Sequence, residues 1–413
     1  MQGARTRGHP AALAAVGALI RRGTPGALLF VGPAGVGKTT LALDLAAGLL
    51  CTNEEVAARP CGECRSCRLV VRGVHPDVHR LGPDGPGRQV VIGGAGSKVR
   101  GIRDLISELA LLPVEGGARV AIVESAQRMN DDAQAALLKT LEEPPTGATI
   151  MLCADSEEPL LPTIRSRCAR IRLGPVGVRE IEAILAKAGA AEPPVAARVA
   201  RISGGRPGIA LAWVARPEAL RERDAIGRTL LDLAIARPAD RLTGIRALAG
   251  QASAIAGIGE GTPLAPATDE ASTAGRKGRT GRAPVAQEST ASADPAGDET
   301  TAGDADASVD DPGSTRAPAS ERRRAAEALI GVWTDVTRDV ALCQRGLDRS
   351  VRDLGLLDDT QALAVALEPE DVARFIDRLG RASVLIAGNA SPELVLDDLA
   401  LAWPRPRAGA RAA

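Results

Sequence analysis

The sequence predicts an α/β fold, a P-loop nucleotide-binding module joined to two all-helical regions. Three observations predict it. Gly32-Pro33-Ala34-Gly35-Val36-Gly37-Lys38-Thr39 fills every position of G-x-x-x-x-G-K-[ST] between an apolar strand and a helix. Short apolar strands recur only up to about residue 173, and the apolar spacing beyond it is helical. From about Gln251 to Ser320 large apolar side chains almost vanish, which divides the helical part in two.

Leu28-Leu29-Phe30-Val31 reads as the buried strand that enters the loop, and the helix from Thr40 runs to about Leu50. Glycines let the loop take positive φ and turn backbone N–H groups onto a phosphate, at the positive end of the following helix dipole. Lys38 is expected to reach the β- and γ-phosphates of ATP or ADP, with the Thr39 hydroxyl on Mg²⁺ and Thr40 next to it. Cys51, Cys61, Cys64 and Cys67 follow. Two overlapping C-x-x-C steps and a fourth thiol form a closed tetrahedral Zn²⁺ set, structural because no position is left to water. His75 and His79 read as polar surface residues beside this complete set.

Gly82–Gly96 reads as a loop and Val99–Leu112 as an amphipathic helix. Arg119–Ser125 is a Walker B-like strand, with Glu124 where an acid holds the Mg²⁺ shell. Ser125 takes the following position, and serine is no carboxylate base. Asn130–Glu143 reads as a helix stopped by Pro144-Pro145, then come a strand over Thr149–Ala154, Pro162–Cys168, and a strand over Ala169–Leu173. Helices are expected over Val178–Ala188, Pro194–Ile202, Ile209–Trp213, Pro217–Leu248, Glu321–Leu347, Gln361–Leu367 and Pro369–Ala387, with a last one after Pro392.

Composition excludes some functions. The chain has 51 Lys+Arg and 51 Asp+Glu among 413 residues, so no global positive field argues for DNA binding by the chain alone. No basic-then-apolar leader is present, and the longest apolar runs are too short to span a bilayer, so a cytoplasmic protein with no membrane partner is expected. Seven cysteines in a reducing compartment argue against a disulfide framework.

The P-loop, the four cysteines, Ala135-Ala136-Leu137-Leu138-Lys139-Thr140-Leu141-Glu142-Glu143-Pro144-Pro145 and Thr163-Ile164-Arg165-Ser166-Arg167-Cys168 stand in one chain. Together they resemble the clamp-loader subunits of bacterial DNA polymerase III, over roughly 8–250 and 321–402. The resemblance implies an AAA+ module with its zinc knuckle (51–67) over 1–174, a helical lid over 175–250, a low-complexity linker over 251–320, a helical collar for oligomerisation over 321–404, and a tail over 405–413. Departures from the ATP-hydrolysing gamma/tau motor point to the delta-prime branch. Glu124-Ser125 replaces an Asp-Glu pair, and the sensor-1 threonine would fall at about Ala154–Asp155, where there is none. The stretch from Asn389 through Pro392 to Leu396 looks like the delta-prime collar ending.

By the same resemblance Arg206 matches a sensor-2 arginine. Arg167 matches an arginine finger that points into a neighbouring subunit's nucleotide site. The partners implied are gamma/tau and delta subunits in a hetero-pentamer, the sliding clamp, and primed DNA through the assembly at the nucleoid-associated replisome. The expected function is assistance in ATP-dependent clamp loading, binding nucleotide at most without efficient hydrolysis. The alternative is a catalytically active gamma/tau-type ATPase, and a small-molecule P-loop kinase would leave the Ser-Arg-Cys and collar segments without a use.

Overall fold

Short apolar strands buried on both faces build the sheet. The computed structural model describes residues 1–85, 88–115, 117–258 and 317–406. Its strands are β1 (Ala27–Val31), β2 (Val78–Leu81), β3 (Arg119–Val123), β4 (Ala148–Ala154) and β5 (Ala169–Arg172). All pair in parallel, in the order β2-β3-β4-β1-β5. Leu28, Phe30, Val120, Ile122, Met151 and Cys153 point to one face and pack with α1 (Pro10–Arg22), α2 (Lys38–Leu50) and α3 (Arg65–Arg72). Leu29, Ala121, Val123, Ile150 and Leu152 point to the other, against α4 (Ile102–Leu109), α5 (Asp131–Glu142) and α6 (Pro162–Arg167). Two covered faces explain why β3 and β4 read as unbroken apolar runs.

Strand β2 went unseen in the sequence. Val78-His79-Arg80-Leu81 lacks an apolar run because it is the edge strand, paired only with β3. This corrects the reading of both histidines. His75 is buried, with Nδ1 accepting the Asp77 N–H at 3.1 Å, and His79 Nδ1 lies 2.9 Å from Glu108. Burial lowers the pKa of both.

The remaining helices are α7 (Val178–Lys187), α8 (Pro193–Ile202), α9 (Pro207–Ala215), α10 (Pro217–Ile235), α11 (Pro238–Gln251), α12 (Ala319–Cys343), α13 (Leu357–Ala366), α14 (Pro369–Ala387) and α15 (Pro392–Ala402). They share one apolar core that runs from Val176 to Trp403. Trp333, Phe375 and Trp403 meet within it at tilted to edge-on angles, with ring centroids 4.6–5.4 Å apart. The expected single helix over Pro217–Leu248 is two, because Pro238 has no N–H to continue α10 and suits the first turn of α11. Gln251 closes α11, and Ala252 and Ile255 are buried in the helical core, so the low-complexity character begins after them. The body of the expected linker, 259–316, lies outside the described residues, as do 407–413 of the tail.

Candidate functional site

The P-loop backbone has the geometry its glycines allow. Gly35 and Gly37 take φ of 77° and 111°, and α2 starts at Lys38 with Gly37 as its left-handed N-cap. Three neighbours hold the loop. A side chain at Gly32 would bring Cβ to 2.2 Å from the Leu173 carbonyl oxygen, so only glycine fits where the loop crosses the end of β5. His9 Nε2 lies 3.0 Å from the Val36 carbonyl. The Gly208 N–H, in the first turn of α9, donates to the Gly35 carbonyl at 2.8 Å. Pro33 is exposed, while Ala34, Thr39 and Thr40 are half-buried.

Lys38 is almost entirely buried and donates to three acceptors. They are the carbonyls of Gly32 at 2.7 Å and Pro33 at 2.9 Å, and Asp155 Oδ1 at 2.7 Å. Asp155 follows the last residue of β4, and β4 lies beside β1, so the sheet register delivers its carboxylate to the loop. Sequence reasoning took Asp155 only as a missing threonine. Its place beside Lys38 follows from strand order, which no local pattern reveals.

Glu124 directly follows β3 in the same region, but it is already engaged. Arg80 of β2 donates to Glu124 Oε1 from Nε at 2.7 Å and from Nη2 at 2.5 Å. Ser125 is held at φ 53°, a conformation serine adopts rarely. Beneath these groups lies Cys153, whose thiol is pushed up to about 12 by burial and by the Glu124 charge, with the Thr39 hydroxyl as hydrogen-bond partner. The fold therefore gathers Lys38, Thr39, Glu124 and Asp155 around the C-terminal ends of β1, β3 and β4.

Arg167 and Arg206 lie elsewhere. Arg167, at the last turn of α6, donates to the Thr163 carbonyl at 3.1 Å and pairs with Glu142 at 2.5 Å. It is about a third exposed and Glu142 about half exposed, so this pair lies at the surface. The Ser-Arg-Cys and Leu-Glu-Glu-Pro-Pro runs thus touch through their charged members. Arg206 donates to the Ser203 carbonyl at 2.9 Å, and its charged neighbours are Asp335, Arg352 and Arg223 of the helical core. Burial lowers its pKa. The groups of this segment that meet the loop are the Gly208 N–H and the Ile209 side chain, which lies against Gly35.

The four cysteines converge. Cys51 caps the C-terminus of α2, Cys64 caps the N-terminus of α3, and all four sulfurs lie within 4.8 Å of one another. Tetrahedral thiolates on one zinc at about 2.3 Å stand about 3.8 Å apart, so the spacing suits a metal with modest contraction. Backbone N–H groups of Cys64 and Cys67 each point at a sulfur at 3.4 Å, as thiolate acceptors require. Burial works against ionising Cys64, but hydrogen bonds from the Cys67 N–H, Thr52 and the Cys67 side chain hold its thiol down to about 6. Burial pushes Cys51 and Cys67 up instead, so a cation is what would make the whole set anionic. The cluster can bind a metal.

Residues 14–177 match the family model described as "DNA polymerase III, delta subunit". The chain is 38% identical over 182 residues to DNA polymerase III subunit delta' of Pseudomonas aeruginosa, covering 44% of this chain and 53% of that protein. It is 36% identical over 196 residues to the subunit delta' of Escherichia coli, 46% of this chain and 56% of that protein. DNA polymerase III subunit tau of Salmonella typhimurium is 35% identical over 155 residues, 38% of this chain and 22% of tau. The chain thus matches about half the length of the delta' relatives, and the family-model match at 14–177 falls on the sheet module.

Proposed function

We propose, from a sheet module that matches the DNA polymerase III delta-subunit family model and from the resemblance to subunits delta', that the chain is the non-motor, delta-prime-type subunit of a clamp loader. In this reading it sits with gamma/tau and delta subunits in a hetero-pentamer, in the cytoplasm at the replisome. It helps the assembly place the sliding clamp on primed DNA, and it turns over ATP slowly if at all. Among the described residues no helix is long and apolar enough to cross a membrane.

One observation carries the non-motor assignment. At the end of β3, where hydrolysis needs an acid to hold the magnesium shell and a second to polarise water, Glu124 is tied to Arg80 and the next residue is Ser125. The P-loop residues Gly32 to Thr40 would hold the phosphates of ATP or ADP, with Thr39 and Glu124 toward Mg²⁺. Arg80 holds Glu124 through Oε1, so this carboxylate would serve with part of its charge already paired. Arg167 would act in trans. An exposed guanidinium paired to a half-exposed carboxylate loses little when it exchanges Glu142 for a phosphate, since surface pairs contribute about 0–1 kcal/mol. Cys51, Cys61, Cys64 and Cys67 would bind Zn²⁺ structurally.

The test is ATP turnover by the reconstituted loader with clamp and primed DNA. Arg167→Ala in this chain alone should leave assembly intact and cut turnover at the adjacent site by up to roughly 10³–10⁵-fold. Unchanged turnover in the assembled complex would reject the finger. The second reading, an active gamma/tau-type ATPase, draws on the intact Lys38 and Thr39. A Lys38→Ala-sensitive turnover by the isolated chain would favour it.

A further inference from the structure

We infer that Asp155 is a built-in competitor for the γ-phosphate at Lys38 and sets how tightly this P-loop holds a nucleoside triphosphate. The inference rests on the nucleotide reading of the P-loop and deepens it. A lysine ammonium has three donors, and all three of Lys38 are used. Two go to the Gly32 and Pro33 carbonyls, which are neutral. The third goes to Asp155, at 2.7 Å, its only charged partner among the described residues. An incoming terminal phosphate must therefore replace a charge-assisted bond of the stronger kind, not a water contact.

The carboxylate is also held in place. Gln127 Nε2 donates to Asp155 Oδ2 at 2.9 Å, and the Asp155 backbone N–H donates to Gln127 Oε1 at 3.2 Å. This two-bond ring leaves Oδ1 aimed at the ammonium. Sheet register fixes the backbone behind it, because Ala154 pairs with Val31 and its carbonyl accepts the Gly32 N–H at 3.2 Å. Lys38 is 8% exposed, so the pair is screened by water mainly from the Asp155 side. Asn at 155 keeps the shape and the bonds to Gln127 but offers Lys38 no charge. Since Lys38 serves the β- and γ-phosphates, the effect should grow with phosphate number.

The experiment is equilibrium binding of fluorescent ATP, ADP and AMP analogues, with Mg²⁺, to the full chain as wild type, Asp155→Asn, Lys38→Ala and the double variant. Thermal melting first confirms that each is folded. If Asp155→Asn destabilises the chain, Gln127→Ala replaces it, since that releases the carboxylate without removing it. Asp155→Asn should tighten ATP about tenfold, with AMP unchanged. The gain should vanish in the Lys38→Ala background, because the competition runs through that ammonium. A gain that persists without Lys38 would mean general charge repulsion and overturn the inference. Measurable wild-type binding that Asp155→Asn leaves equal or weaker would overturn it too, while sparing the nucleotide reading. No binding by any variant would overturn both.

Discussion

Asp353 decides how the helical part of the chain is charged inside. It is nearly buried and accepts from Arg223 at 2.7 Å, with Arg198 at 3.3 Å, while Arg223 also reaches Asp335. Burial pushes its carboxyl up, but the Arg223 and Arg198 cations outweigh that and hold it below the ordinary carboxylate value. A depressed folded-state pKa contributes stability that is fully present above the unfolded value, about 3.9, and is lost as pH falls through the folded one. Asp353→Asn removes one partner of a buried pair and should destabilise the chain by about 3 kcal/mol at pH 7. Urea unfolding at pH 7 and pH 3 measures it, and the gap between variant and wild type should narrow at the lower pH. An equal gap at both would mean the carboxylate charge is not what the pair supplies.

At the scale of elements, the four-cysteine knuckle ties three segments together. It begins at Cys51, the residue that caps the P-loop helix α2, and ends inside α3, where the Cys67 sulfur lies 3.8 Å from the Ala47 carbonyl of α2. The N-terminal arm lies on it as well. The Gly3 N–H donates to the Pro60 carbonyl at 2.8 Å, and a Cβ on Gly3 would stand 2.3 Å from the Gly62 nitrogen, so glycine is required at this crossing. Two residues on, the arm donates the Arg5 and Thr6 N–H groups to buried Asp44 in α2. Metal loss should therefore loosen more than the knuckle. Purified chain should carry about one zinc. Chelation or Cys64→Ser should lower the melting temperature and raise amide exchange over residues 1–6 and 51–72 together. Metal-free protein with unchanged melting would dismiss the site.

At the scale of the molecule, the sheet module has its own two cores, one on each face, whereas α7 to α15 share a single core. Arg241 marks the joint. It is fully buried in α11 and donates to the carbonyls of Ala234, Ala236 and Trp403, so the chain's last described turn is fixed to helices before residue 251. The same core places Trp333 of α12 against Phe375 and Trp403. A chain ending at residue 258 would strip α10 and α11 of those partners. Limited proteolysis should then degrade residues 176–258 while sparing a fragment near 1–174, since each half-core must bury its apolar face to stay folded. Protection of both fragments would show that α7–α11 fold without the C-terminal helices.

The sequence alone determined every feature whose cause is local. The loop from Gly32 to Thr39, the cysteine spacing and the strands β3 and β4 each carry their signal within a few residues. So does the helix over Asn130–Glu143, which Asn130 caps by accepting the Ala133 N–H at 3.0 Å. Only the tertiary structure decided which distant residues meet. Strand order brought Asp155 to Lys38 across 117 positions, made Val78–Leu81 an edge strand, and set Arg80 on Glu124. Helix packing turned Arg206 toward the helical core and put Gly208 on the loop instead. These pairings depend on register and burial across the whole chain, and a one-dimensional pattern carries neither.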